Sequence, residues 1–298
     1  MSLRGASIGC VPIVWNNVDD PDLAPIVDPD IVLDEIARLG FAGIQHGRGF
    51  AEGDHLRGDL ERRGLRLAEL YSALPSTPEG LADTAADLAR RDLARLTAAG
   101  GEVLVVALDG SPEREQWSGR VSMEAPQWAA PAYAALAELL AELVDAAPNG
   151  VRVAFHPHTA TWIEAPDEVE ALATRLPDTG AGLCLDVGHY TVGGGEPVRA
   201  LRAFGPLVTH LHLKDVDPSV LARLRSGEVE GFGAAVRERI FTELGNGALD
   251  LPGILGVLDA VGYDGWLMVE QDSSWLRPAE AAAIGKRVLD YALRELAR

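Results

Sequence analysis

Eight times along this chain a short apolar run of strand length gives way to a segment with apolar residues at helical spacing, and this alternation restricts the fold more than any other feature. The strand candidates are ASIGCVPIVW, FAGIQHG, LRLAELYS, EVLVVALDG, VRVAFHPH, GAGLCLDVGH, LVTHLHLKDV and GWLMVEQD. The intervening helices include PDIVLDEIARLG, closing on Gly40, and segments from Pro78 to Ala99, Pro131 to Ala147 and Pro166 to Leu176. EPVRALRAF, LPGILGVLDAVG and a closing helix from Pro278 to Ala297 complete the series. Strands that alternate with helices form a parallel sheet. The chain carries no glycine-rich phosphate loop of Rossmann or Walker type, so a closed (β/α)8 TIM barrel is predicted over an open, doubly wound sheet. ARLGFAGI and DAVGYDGW echo one another, each a helix ending at Gly with a second Gly opening a strand. Residues 1–298 read as a single barrel domain, with a segment between Asp217 and Asp250 inserted between strands seven and eight. Within that insertion, the spacing of Val236, Ile240 and Phe241 predicts one short helix.

Strand side chains alternate between faces, so Cys184 and Asp186 share one side of strand six, and His210, His212 and Lys214 share one side of strand seven. Barrel closure brings the carboxyl ends of strands five to eight to one mouth. The groups delivered there are His156 and His158, Asp186 and His189, His212, Lys214 and Asp215, and Glu270 and Asp272. A lone Asp at a strand end is more often a turn former or a helix cap, and a lone His is more often a satisfied polar residue. Together they would carry desolvation costs that a shared cation offsets. Oxygen and imidazole donors without thiolate suit a divalent metal, Mn²⁺, Co²⁺, Mg²⁺, Fe²⁺ or Zn²⁺ alike.

The net charge of −19 and a pI near 4.7 repel polyanions, so nucleic acid is not an expected partner. Cys10 and Cys184 lie far apart inside apolar runs and read as buried reduced thiols. No signal-peptide pattern opens the sequence and no run reaches membrane-spanning length, which leads to an expectation of a cytoplasmic protein without a membrane partner. A homo-oligomer is compatible with the sequence, which does not specify one.

The motifs VPIVWNNVDDPDL, FHPHTATWIE, LCLDVGH, HLHLKDVD, FTELGNGALD and GWLMVEQD together resemble the xylose isomerase-like superfamily of sugar isomerases, epimerases and dehydratases, and within it the myo-inosose-2 dehydratases. The resemblance covers nearly the whole chain. It implies a metal held by Asp186, His212 and Glu270, which match the last three of the superfamily's four ligands, with the fourth being His156 or a loop carboxylate such as Glu164. It implies proton abstraction next to the carbonyl of a polyhydroxy ketone or sugar, with His158 as base and Glu164 as second candidate. His189 and Lys214 would orient hydroxyls or the metal-bound oxygen, and Trp15 would offer an apolar face to the ring. Two positions depart from the pattern. His156 stands where many members carry a Glu, and Gln45 stands where the dehydratase pattern is acidic near the end of strand two. The activities implied are dehydration of an inosose-like ring ketone, isomerisation or epimerisation of a sugar, or polyol binding without catalysis. An endonuclease on the same scaffold is disfavoured by the negative charge.

Overall fold

The computed structural model describes the chain except residues 1, 2, 4, 5, 18, 19, 21, 24, 25 and 121–123, so parts of the VPIVWNNVDDPDL motif and of the segment after strand four lie outside the described residues. The barrel strands are β1 (Ser7–Cys10), β2 (Gly43–Gln45), β3 (Arg66–Leu74), β4 (Val103–Leu108), β5 (Arg152–Phe155), β6 (Gly182–Asp186), β7 (Val208–Leu213) and β8 (Trp266–Val269). They pair in parallel in the order β1-β8-β7-β6-β5-β4-β3-β2, and the β1–β2 pairing closes the ring. The helices that pack outside are α1 (Pro29–Arg38), α2 (Gly53–Glu61), α3 (Ala85–Ala98), α4 (Ala130–Ala146), α5 (Pro166–Ala173), α6 (Pro197–Phe204), α7 (Leu251–Val261) and α8 (Pro278–Leu296). The expected TIM barrel is therefore the observed fold. Among the described residues, no helix is long and apolar enough to cross a membrane.

The local reasons are visible in the sequence. In α1, Asp28 caps the amide of Asp30, Pro29 opens the helix, and Val32, Leu33 and Ile36 form the buried stripe. Gly40, at φ +78°, takes the left-handed position after the helix. On the last strands the alternation sorts two cores. Leu183, Leu185, Leu211, Leu213, Leu267 and Val269 face the helices, whereas Cys184, Trp266 and Met268 join Val103, Val105 and Ala154 inside the ring. Each fully buried aliphatic side chain contributes roughly 1.5–3 kcal/mol, so the helix-facing layer is the main source of cohesion.

Three expectations are corrected. The first strand stops at Cys10 and Pro12–Val14 is a 3-10 turn, because Pro12 has no N–H to continue the ladder. Helix α3 begins at Ala85 and not at Pro78, because Ser76–Thr77 and Gly80–Leu81 form a small antiparallel hairpin ahead of it. The insertion holds two helices, Pro218–Ser226 and Phe232–Arg237, and Phe241–Thr242 pairs antiparallel with Asp215–Val216. Its apolar residues, including Leu224, Phe232, Val236 and Phe241, form a separate cluster with Ala160 and Val192. Since Ala160 follows β5 and Val192 follows β6, the insertion roofs the carboxyl ends of the strands that carry the histidines.

The polar segment after β4 is anchored from below. Arg114, in a short helix Pro112–Glu115, makes a buried bidentate pair with Glu168 of α5 at 2.6 and 2.8 Å. Glu168 Oε2 also accepts the amides of Glu164 and Ala165 at 2.9 Å each, so one carboxylate fixes both the entry to α5 and the β4 loop.

Candidate metal centre and active site

Asp186 ends β6 and divides its two oxygens. Oδ1 accepts the amide of His189 at 2.8 Å, capping the short helix Val187–Val192, which leaves Oδ2 for the barrel mouth. His212 sits on β7 and Glu270 directly after β8. One ligand atom from each of Asp186, His212 and Glu270 lies within 4.8 Å of the other two. His212 Nδ1 is 2.6 Å from Glu270 Oε2 and 3.8 Å from Asp186 Oδ2. These three atoms are buried and turned toward one another, the 2.6 Å approach of Nδ1 to Oε2 being the shortest contact among them.

Which nitrogen of His212 faces the cluster is decided by a residue that the sequence reading passed over. Glu69, on β3 and fully buried, lies 3.0 Å from His212 Nε2 and also bonds His210 Nε2. Glu69 holds Nε2 and so turns Nδ1 toward Glu270 and Asp186. Burial alone would lower the His212 pKa, but Cys184, Glu69 and Glu270 outweigh it and raise it well above 6.5. A bound cation would therefore take the place of the Nδ1 proton while Nε2–H stays on Glu69. Burial alone would raise the Glu69 pKa; His212 and His210 outweigh it and hold the carboxyl at about 2. Glu270 is likewise held at about 2, because Lys214 and His212 overcome its burial. Asp186, Glu270 and Asp272 thus place three carboxylates around one ammonium, Lys214, with the Glu69 carboxylate on the other side of His212, in a region nearly closed to water. Excess buried negative charge beside convergent O and N donors is what a divalent cation neutralises. The residues fit such an ion.

His156 flanks this trio. Its Nε2 is 3.7 Å from Asp186 Oδ2 and its ring lies 5.0 Å from that of His212. It also forms a second possible ligand group with Cys184 and His212. Burial pushes the Cys184 thiol up to about 12, so that group offers a neutral thiol and not a thiolate.

A cavity of about 110 Å³ opens onto the site and is lined in part by Gln45, Tyr71, Asp109, His158, Lys214 and Glu270. His158 Nδ1 is 2.8 Å from the carbonyl of Thr159, which places its proton there and leaves Nε2 with the lone pair. Burial, with His156 and Lys214 nearby, lowers the His158 pKa to about 3, so the ring is neutral. It packs against His189, tilted by 38° at 3.7 Å between centroids, and Phe232 from the insertion meets it edge-on at 5.5 Å.

His189 and Lys214 are braced by protein. His189 bonds Thr159 Oγ1 at 2.9 Å through Nδ1 and lies 3.0 Å from Lys214 Nζ through Nε2. Lys214 also reaches Glu270 Oε1 at 2.8 Å and Asp272 Oδ1 at 2.7 Å, so its three N–H donors each have a protein partner. This arrangement orients the carboxylates, and Lys214 also lines the cavity.

Other expected residues are placed elsewhere. Trp15 does not line the cavity; its ring is buried and Nε1 donates to Glu35 of α1 at 2.6 Å, since the turn at Pro12 directs it to the helix layer. Asp215 accepts the amides of Gly245, Gly247 and Leu249 at 2.8 to 3.1 Å and so organises the insertion. Glu164 accepts the amides of Gly119 at 2.8 Å and Ala160 at 2.7 Å. Ala160 has φ +64°, and Glu164 helps to hold that left-handed turn. Gln45 does line the cavity, and with Tyr71 and Ile13 it also lines an adjoining pocket of about 480 Å³ that reaches His46 and Arg48.

Burial pushes the Glu164 acid up to about 7 from an ordinary 4.5, despite its two amide donors. A carboxyl with a raised folded-state pKa binds its proton more tightly when folded. Its stabilising contribution is present below about pH 4.5 and is lost as pH rises through about 7. The full difference is worth roughly 3 kcal/mol. Urea unfolding at pH 5 and pH 8 is expected to show the wild type losing stability over this interval relative to Glu164→Gln, and parallel profiles for the two proteins would contradict the assignment.

Comparison with known proteins agrees with the architecture. The sequence model of the family described as xylose isomerase-like TIM barrel matches residues 33–292, and the chain belongs to that family. It is 30% identical over 292 residues to the inosose dehydratase of Clostridium botulinum (strain Alaska E43 / Type E3), covering 95% of each chain. Among solved structures, an L-ribulose 3-epimerase superposes with a TM-score of 0.70 at 18% identity, covering 98% of this chain and 96% of that one. IolI, crystallised with a bound zinc atom, superposes with a TM-score of 0.65 at 16% identity, covering 97% of this chain and 99% of IolI.

Proposed function

We propose that this chain is a divalent-metal-dependent lyase of the inosose dehydratase kind, removing water from a cyclic polyhydroxy ketone. The observation that carries this reading is the proximity of two devices. The donor atoms of Asp186, His212 and Glu270 converge on one point, and the neutral imidazole of His158, its Nε2 unprotonated, lines the cavity that Glu270 also lines. Likeness to the Clostridium botulinum inosose dehydratase over 95% of each chain supports the substrate class, and the zinc atom bound by IolI, a protein of the same fold, supports a divalent cation.

Asp186, His212 and Glu270 would hold the cation, with His156 beside them. When bound, a divalent ion supplies a Lewis acid for the carbonyl and for the negative charge that develops on it. His158 Nε2 takes the proton from the adjacent carbon, and the hydrogen bond from Nδ1 to Thr159 keeps the ring in the tautomer this needs. Lys214 and His189 hold Glu270 and Asp272 in place, and the insertion covers His158 with Phe232.

Metal-loaded protein incubated with 2-keto-myo-inositol is expected to yield an absorbing enolised dione lighter than the substrate by one water. Recovery of unchanged ketone together with epimerisation or aldose–ketose interconversion of an ordinary sugar would replace this reading by that of an isomerase. Binding without chemistry on either substrate would identify a silent polyol-binding relative.

A further inference from the structure

Elimination needs an acid for the departing hydroxyl as well as a base for carbon, and the groups first considered for that task are engaged. Both oxygens of Glu164 hold backbone amides, His189 bridges Thr159 and Lys214, and Lys214 has its three donors on protein partners. Glu270 belongs to the cation-binding trio and Asp272 pairs with Lys214. One carboxyl in the cavity wall stands outside all of these roles. Asp109 follows β4, and its amide donates to the carbonyl of Leu74 at 2.9 Å, which fixes it against the end of β3. It lines the same cavity as His158, Lys214 and Glu270, at its solvent-exposed mouth. Among the described residues its carboxyl forms no hydrogen bond or ion pair.

We infer that Asp109 is the catalytic acid that protonates the leaving hydroxyl, an assignment that rests on the dehydratase reading. His158 Nε2 removes the proton from the carbon beside the carbonyl, and the electron pair of that C–H bond becomes the enolate. As the carbonyl re-forms, the pair becomes the new C=C bond and the β C–O bond breaks. The hydroxyl leaves with the proton of Asp109 as water. His158 then returns its proton to the Asp109 carboxylate through solvent at the mouth, so substrate becomes product plus water and the protein is unchanged. Partial burial raises the Asp109 pKa above the ordinary aspartate value, which favours the protonated form that donates.

Two readouts on metal-loaded enzyme in D₂O separate this step from the earlier one: deuterium in the recovered ketone and release of the dehydrated product. Asp109→Asn is expected to retain exchange within a few-fold and to lose elimination by about 10²-fold to 10⁴-fold, the usual contribution of a positioned acid. Asp109→Glu is expected to recover part of the elimination. Elimination by Asp109→Asn at the wild-type rate, or a parallel fall in exchange and elimination, would overturn the role. So would a selective loss of elimination in Tyr71→Phe with Asp109→Asn unaffected, since the phenol is another oxygen acid in that wall. Wild-type enzyme that exchanges deuterium without ever eliminating water would instead remove the dehydratase reading, and Asp109's role with it.

Discussion

Replacement of His158 by Gln is expected to leave the cation bound and to reduce proton exchange at the carbon beside the ketone by about 10²-fold to 10⁴-fold. The expectation follows from how the ring is held. Nδ1 is committed to the Thr159 carbonyl at 2.8 Å, so Nε2 is the nitrogen that accepts a proton, and a glutamine amide has no equivalent basic atom. The ring packs against His189 and meets Phe232 edge-on, outside the trio of donor atoms formed by Asp186, His212 and Glu270. Metal content should therefore match the wild type by elemental analysis while deuterium incorporation falls. His156→Gln is expected instead to lower the metal content, and exchange along with it, because its Nε2 is 3.7 Å from Asp186 Oδ2 and its loss would weaken the cation site. An exchange of these two phenotypes would move the base to His156.

Loss of cation binding is the second large effect. His212→Ala removes the nitrogen at the centre of the trio and should abolish stoichiometric uptake of Mn²⁺, Co²⁺, Mg²⁺, Fe²⁺ or Zn²⁺. Asp186 needs a more careful substitution, since Oδ1 also caps the Val187–Val192 helix. Asp186→Ala would lose both functions, with about 0.5–2 kcal/mol of stability going with the cap. Asp186→Asn retains an oxygen that can accept the His189 amide and should lose affinity for the cation with little change in folding. Glu69→Gln tests the orientation of His212. It removes the carboxylate that receives the Nε2 proton and should weaken binding by about 10-fold to 100-fold. Titration calorimetry with each ion, alongside thermal melts that establish folding, checks the series. Wild-type affinity in His212→Ala would show that the ion, if any, binds elsewhere.

The legibility of this site in the sequence depended on regular strand geometry. Asp186 and His212 could be placed together because alternation along GLCLD and THLHL puts them on one side of adjacent strands, and Asp186 pairs with His212 in register. Glu69 obeys no such rule. The β2–β3 register shifts between Ile44 and Gln45, so Ile44 pairs with Leu67 but Gln45 pairs with Glu69. Across that irregularity Leu67 faces the helices while Glu69, two residues on, reaches His210 and His212 inside the ring. Alternation would have put Leu67 and Glu69 on the same face. Asp215 was misread for another reason: its partners at Gly245, Gly247 and Leu249 lie in the insertion, more than a whole helix away in sequence. Asp109 follows a uniformly apolar strand, and only closure of the barrel reveals that it meets His158 in one cavity.

The central claim is that a cation held by Asp186, His212 and Glu270 enables His158 to remove a proton next to a ketone. Its most direct test is solvent-deuterium incorporation into 2-keto-myo-inositol, followed by NMR, with the same wild-type protein stripped by chelator and then reloaded with each divalent ion. Incorporation that is absent after chelation and restored by at least one ion is the expected result. Equal incorporation with and without the ion, or none in either state while the ketone is shown to bind, would contradict it.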